Sequence, residues 1–213
     1  MQMKLPLLIV LGGIAALTLP ATTQAGGDLA PTVTITASVT AAMQASFEAK
    51  RQATMDRLTQ DETQALCTQY ARAPLPAAVA TKISALNRAT ITPPPDGKYL
   101  GDYTQGEVVA QTGTGLQSSD DPAKASGGNC YACHELAARE LAFGTIGPSL
   151  RQYGKLRGTS PAVLEAAWAK LYNSNAQMAC SRMPRFGHRG ILSAQQLQDV
   201  MAFLFDPASP VNQ

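Results

Sequence analysis

The sequence predicts an all-α protein. Apolar residues recur at helical spacing in several separate stretches, proline and glycine punctuate the gaps, and a regular alternation of strands and helices is absent. The N-terminus, MQMKLPLLIVLGGIAALTLPATTQAGG, carries one lysine, an apolar run over residues 5–19 and small residues ending in TQA. This is the layout of a secretory signal peptide, residues 1–25, cleaved after Ala25. Its apolar run is shorter than the ~20 residues a membrane span needs. No later stretch is apolar enough to cross a bilayer, so the expectation is an exported, periplasmic chain with no membrane attachment after cleavage.

Residues 26–103 read as an N-terminal extension, polar and threonine-rich at first. Over residues 42–71, Phe47, Met55, Leu58 and Leu66 stand among alternating charges, the pattern of one or two amphipathic helices. The APLP that follows Arg72 ends this pattern, because proline lacks an amide hydrogen and restricts the residue before it. Residues 72–103, with Pro93, Pro94, Pro95, Gly97 and Gly101, read as a proline-rich strap leading into a second unit, residues 104–213.

In that unit TQGEVVAQ is a short helical pattern. TSPAVLEAAWAKLYN takes Thr159 or Ser160 as its cap and Pro161 in its first turn, with Val163, Leu164, Ala167, Trp168 and Leu171 on one face. LSAQQLQDVMAFLFD starts after Ser193 and turns Leu197, Val200, Met201 and Leu204 inward. Helices this short enclose a thin core unless something else fills it. The charge balance of 17 basic against 15 acidic residues gives no reason to invoke nucleic acid or an anionic membrane. Two histidines and few aromatics leave little ordinary catalytic equipment.

The filler is announced by GGNCYACHEL, residues 127–136. Cys130, Cys133 and His134 have the spacing of a c-type haem attachment site: two thiols reach the two porphyrin vinyl groups, and the adjacent histidine sits under the iron. A zinc site would need a second ligand cluster, and a redox Cys-X-X-Cys would want a thioredoxin-like fold; neither pattern is present. The expected cofactor is therefore one covalent haem c. Beyond it, GTIGPSL at 144–150 places Pro148 where its carbonyl can orient the histidine and Leu150 where it can line the pocket. Together with CYACH this points to a class I cytochrome c-like unit. For the far face of the iron, Met183 is followed by proline and stands in a loop, and thioether ligation opposite histidine suits electron transfer. Met178 is read as packing, Met201 as core of the last helix, and His188 as part of a solvated basic loop, although His188 would also serve chemically.

Two cysteines remain, Cys67 and Cys180. In an exported protein a disulfide between them is expected, stapling the extension to the methionine loop; an intermolecular bridge or a buried thiol is the competing reading. Arg182 and Arg185 read either as partners of haem propionates or as a docking patch for an acidic protein.

The combination GNCYACHEL, GTIGPSL and MPRFG in this order resembles the SoxX family, the monohaem subunits of the SoxAX cytochromes of bacterial thiosulfate oxidation, over roughly residues 104–206. The resemblance implies Cys130 and Cys133 as the haem thioether positions and His134 and Met183 as axial ligands. It also implies a heterodimer with a SoxA-like haem subunit, in which thiosulfate is joined oxidatively to a cysteine of a SoxYZ-like carrier, an L-cysteine S-thiosulfotransferase reaction. This chain would be the non-catalytic relay, passing electrons to a small acceptor cytochrome c. A free-standing periplasmic monohaem shuttle is the alternative. The long extension and the loop TGTGLQSSDDPAKASGG depart from the shorter members of that family.

Overall fold

The computed structural model describes residues 37–213. The signal peptide and the first part of the extension lie outside the described residues. The elements run α1 (Ala37–Ser46), α2 (Glu62–Gln69), α3 (Ala77–Arg88), α4 (Tyr103–Gln111), α5 (Tyr153–Arg157), α6 (Pro161–Tyr172) and α7 (Ala194–Phe205). Short 3-10 turns lie at Met55–Leu58, Cys130–Ala132, Ser174–Ala176 and Pro210–Asn212. Among the described residues no strand forms, only an isolated bridge between Lys50 and Ala53, so the all-α class stands.

The centre of the molecule is the crossing of α4 and α7. Helix α7 begins at a capping box in which the Gln196 amide donates to Ser193 Oγ (3.2 Å) and the Ser193 amide to Gln196 Oε1 (3.0 Å). Residues 197–205 are then all buried, among them the expected Leu197, Val200, Met201 and Leu204. Helix α4 reaches it at Gly106, where a Cβ would lie 2.0 Å from the Asp199 carbonyl oxygen and 2.8 Å from Phe203 Cβ. Only glycine permits that approach. Helix α6 adds Ala167, Trp168 and Leu171 to the core, while Val163 and Leu164 are half-buried at its edge. Each large apolar side chain so enclosed contributes about 1.5–3 kcal/mol relative to exposure.

The strap is fastened to the same helix. The Gly101 amide donates to the Gln198 carbonyl (2.9 Å), Gln198 Nε2 to the Lys98 carbonyl (2.6 Å), and the Asp102 amide to Asp199 Oδ1 (3.0 Å). These bonds explain why Gln198 and Asp199 can be buried in an otherwise apolar helix. Upstream, Trp168 Nε1 donates to the Thr92 carbonyl (2.8 Å). At the C-terminus Asn212 uses its whole amide: Oδ1 accepts from the Gly154 amide (2.9 Å) and the Lys155 amide (3.2 Å), and Nδ2 donates to the Leu204 carbonyl (3.0 Å) and the Asp206 carbonyl (2.9 Å).

The stretch read from its prolines as a strap contains helix α3. Pro76 is its N-cap, where a fixed φ is compatible with a helix start, and the alanine-rich sequence after it propagates the helix. Helices α2 and α3 pack on the turn at Ser174–Ala176 through buried amides. Asn87 Nδ2 donates to Thr63 Oγ1 (2.8 Å), and Asn173 Nδ2 donates to Asn87 Oδ1 (2.9 Å) and Thr90 Oγ1 (2.9 Å). The extension also reaches the loop before the cysteine motif, where Gln52 Nε2 donates to the Gln117 carbonyl (2.6 Å) and Arg57 Nη1 to the Leu116 carbonyl. It therefore clasps the chain on both sides of the CYACH loop.

Candidate functional site

The CYACH loop is suspended from the end of α4. The amides of Gly128 and Asn129 donate to the carbonyls of Val109 (2.8 Å) and Thr112 (3.0 Å), and Asn129 turns the chain in the left-handed region (φ 47°). A single 3-10 turn, Cys130–Ala132, follows, and the Cys130 carbonyl accepts from the amides of Cys133 (3.1 Å) and His134 (2.9 Å). Cys130 and Cys133 are both free thiols. Burial pushes the Cys130 thiol up to about 12, so at neutral pH it is protonated and a weak nucleophile.

The loop at 144–150 is laced against this turn. The amides of Gly144, Gly147 and Leu150 each donate at 2.8 Å to the carbonyls of Tyr131, Cys133 and Glu135 respectively. Gly147 lies on the face of the imidazole, where a Cβ would stand 2.2 Å from His134 Cε1. His134 Nδ1–H donates to the Pro148 carbonyl (2.7 Å), the partner the sequence reading assigned to it. Nδ1 therefore carries a proton, and the ring is held with Nε2 directed away from the Pro148 carbonyl. Leu150 is half-buried and packs against the core.

Met183 belongs to a second loop. Its carbonyl accepts from Ser174 Oγ (2.5 Å), its amide donates to Ser181 Oγ (3.3 Å), and Pro184 keeps the segment out of helix. Its side chain is half-buried and borders a cavity of about 190 Å³ together with Cys67, Cys180 and Arg185. Cys67 and Cys180 are joined in a disulfide with Cα atoms 5.4 Å apart, so the extension folds back onto the methionine loop.

The basic side chains of this loop differ from the sequence reading. Arg185 is buried and donates to Asp61 Oδ2 (2.7 Å), which Arg189 also contacts. It is therefore neither a free docking charge nor an open anion ligand, and Asp61, its partner from 124 residues upstream, was not anticipated. Burial raises the Asp61 carboxyl, but the Gln64 amide and the two guanidiniums outweigh it and hold the group below the usual carboxylate range. His188 is half-buried; burial, then the Arg185 and Arg189 charges, lower it. Met178, read as a packing residue, is 60% exposed: α6 ends at Tyr172, Asn173 is extended, and Met178 lies beyond the 3-10 turn that follows.

The cofactor expectation has to be corrected. One covalent haem c is not supported by the structure: among the described residues no group of three or more His, Cys, Asp or Glu could hold a metal ion. Cys67 and Cys180 are consumed by their disulfide, and the cavity bordered by Met183 is lined by neither Cys130, Cys133 nor His134. In addition, no helix among the described residues is long and apolar enough to cross a membrane.

Compared with known proteins, the chain matches no family model. It is 41% identical over 128 residues to an uncharacterized lipoprotein of Aquifex aeolicus (strain VF5). The match covers 59% of this chain and 59% of that protein's length.

Proposed function

We propose that this chain is the electron-relay subunit of an exported, periplasmic sulfur-oxidising heterodimer of the SoxAX kind. The partner subunit hosts the chemistry that joins thiosulfate to a cysteine of a SoxYZ-like carrier, and this chain hands the electrons to a small soluble cytochrome. The observation that carries the reading is the CYACH loop with His134 Nδ1–H fixed on the Pro148 carbonyl at 2.7 Å. An imidazole so held costs little to orient and offers one defined nitrogen to its surroundings. Cys130, Cys133 and His134 are the working residues of this reading, with Met183 on a separate loop.

Three further observations support it. The relative is named a lipoprotein, and the N-terminus of this chain has the layout of a secretory signal peptide. The close α4–α7 crossing at Gly106, with the cysteine loop leaving α4, fits a class I cytochrome c-like arrangement. The clasping extension enlarges the surface available to a partner beyond that of a small carrier.

Affinity purification of the full-length exported chain from its native host tests the reading. A second, co-purifying subunit in equal amount and thiosulfate-dependent reduction of a small cytochrome c are expected. A chain that purifies alone as a monomer contradicts the heterodimer and favours the free shuttle.

A further inference from the structure

The disulfide has a setting that a purely structural crosslink does not need. Both half-cystines border the cavity of about 190 Å³, and so do Met183 and Arg185. Its rim includes Gln64 and Pro184, which are exposed, so the bond is reached from solvent through the seam between α2 and the methionine loop. Two guanidiniums, Arg185 and Arg189, share the one carboxylate of Asp61, leaving a net positive cluster beside the bond. Positive charge stabilises a thiolate, both as it approaches and as it leaves. Cys180 is held at φ 58°, a left-handed conformation that residues other than glycine adopt rarely.

We propose that Cys67–Cys180 is a thiol-exchange site, opened through this cavity by low-molecular-weight thiols, and that opening it unlatches the Met183 loop from α2. A thiolate attacks one cystine sulfur; the S–S bond breaks, a mixed disulfide forms, and the other cysteine leaves as a thiolate. A second thiolate then attacks the mixed disulfide, releasing the small-molecule disulfide. Two external thiols supply the two electrons, and their two protons end on Cys67 and Cys180. The Thr63–Asn87–Asn173 hydrogen bonds keep α2 on the fold, and the Asp61 ion pairs become the remaining, non-covalent tie between α2 and the loop. The inference is independent of the proposed relay function, because it concerns only the crosslink and the loop it restrains.

The test uses the full-length oxidised protein under native conditions, with free cysteine or glutathione as the probe, alkylation at timed intervals, and peptide mapping that reads Cys67 and Cys180 apart from Cys130 and Cys133. Cysteine, small enough for the cavity, is expected to open the bond at least about tenfold faster than the bulkier glutathione, because access limits an exchange between thiols of similar reactivity. Hydrogen exchange of residues 178–189 should rise on opening, while the amides of α7 stay protected. Equal rates for the two thiols, or opening only at denaturant concentrations that unfold α7, would overturn access through the cavity. Unchanged exchange in residues 178–189, or an equal rise in α7, would overturn the latch.

Discussion

Replacing Gly106 with alanine adds one methyl group to the close contact between α4 and α7. The new carbon would stand 2.0 Å from the Asp199 carbonyl oxygen and 2.5 Å from its carbon, where ordinary contact begins at 3.4 Å. Both atoms are backbone, so no side-chain rotation relieves the clash, and α7 must retreat from α4. That retreat loosens the packing of Phe203 and Met201, both fully buried. Overpacking of this kind costs about 1–3 kcal/mol, and the backbone contact places Gly106→Ala at the upper end. Alanine's better helix propensity returns about 1 kcal/mol, leaving a net loss of about 2 kcal/mol. For a chain of this size that lowers Tm by about 4–8 °C. The matched control is Gly113→Ala, whose Cβ meets nothing nearer than Asn129 Cγ at 3.4 Å. It should be neutral or stabilise by about 0.4–1 kcal/mol, through the unfolded state. Urea titrations of the two variants and the parent, fitted with a common m-value, measure both. A Gly106→Ala protein as stable as the parent would refute the close crossing of α4 and α7.

Other perturbations probe the clasp between extension and loop. Asp61→Asn leaves the buried Arg185 without its carboxylate and should cost about 2 kcal/mol in urea titration, reduced from the full buried-pair penalty because Asp61 is partly exposed. Because the folded state holds the Asp61 carboxyl below its ordinary value, its stabilisation is present above about pH 3.9 and is lost as the pH falls through the folded value. The Asn variant should lack that component of acid sensitivity. His188 is shifted in the same direction and acts at higher pH. Its folded value is lowered, so the unfolded chain takes up the proton first, and stability should decline as the pH falls below about 6.5 and level off below the folded value. His188→Gln should remove that decline, and a His188 NMR titration at or above the ordinary value would contradict it. Asn173→Ala strips partners from Asn87 Oδ1 and Thr90 Oγ1 in a fully buried position, and should cost about 2–3 kcal/mol.

The parts of the fold that were legible in the sequence are those governed by local chemistry. Helices α6 and α7 follow from periodicity and from Ser160, Pro161 and Ser193 at their starts, and the His134–Pro148 bond from two nearby segments with few conformational options. Helix α3 was hidden because prolines at 74 and 76 suggest a break, whereas Pro76 is a helix start. The Asp61–Arg185 pair and the Asn87–Asn173 bond were not legible, since their partners lie 124 and 86 residues apart and no local pattern marks either. The Cys67–Cys180 pairing, separated by 113 residues, came from counting cysteines in an exported chain rather than from any spacing. Closing so long a loop restricts the unfolded chain by about 5 kcal/mol in the chain-entropy account.

The relay assignment rests on the CYACH loop and is tested most directly by electron delivery. The full-length chain and its His134→Gln variant would each be purified from the native host with the co-purifying subunit. Thiosulfate and a carrier protein are then supplied, and reduction of a small soluble cytochrome c is followed optically. The account predicts that both preparations retain the partner in equal amount, while the variant delivers electrons at least about tenfold more slowly, because the oriented imidazole at the CYACH loop is gone. Equal rates from the two preparations would contradict it.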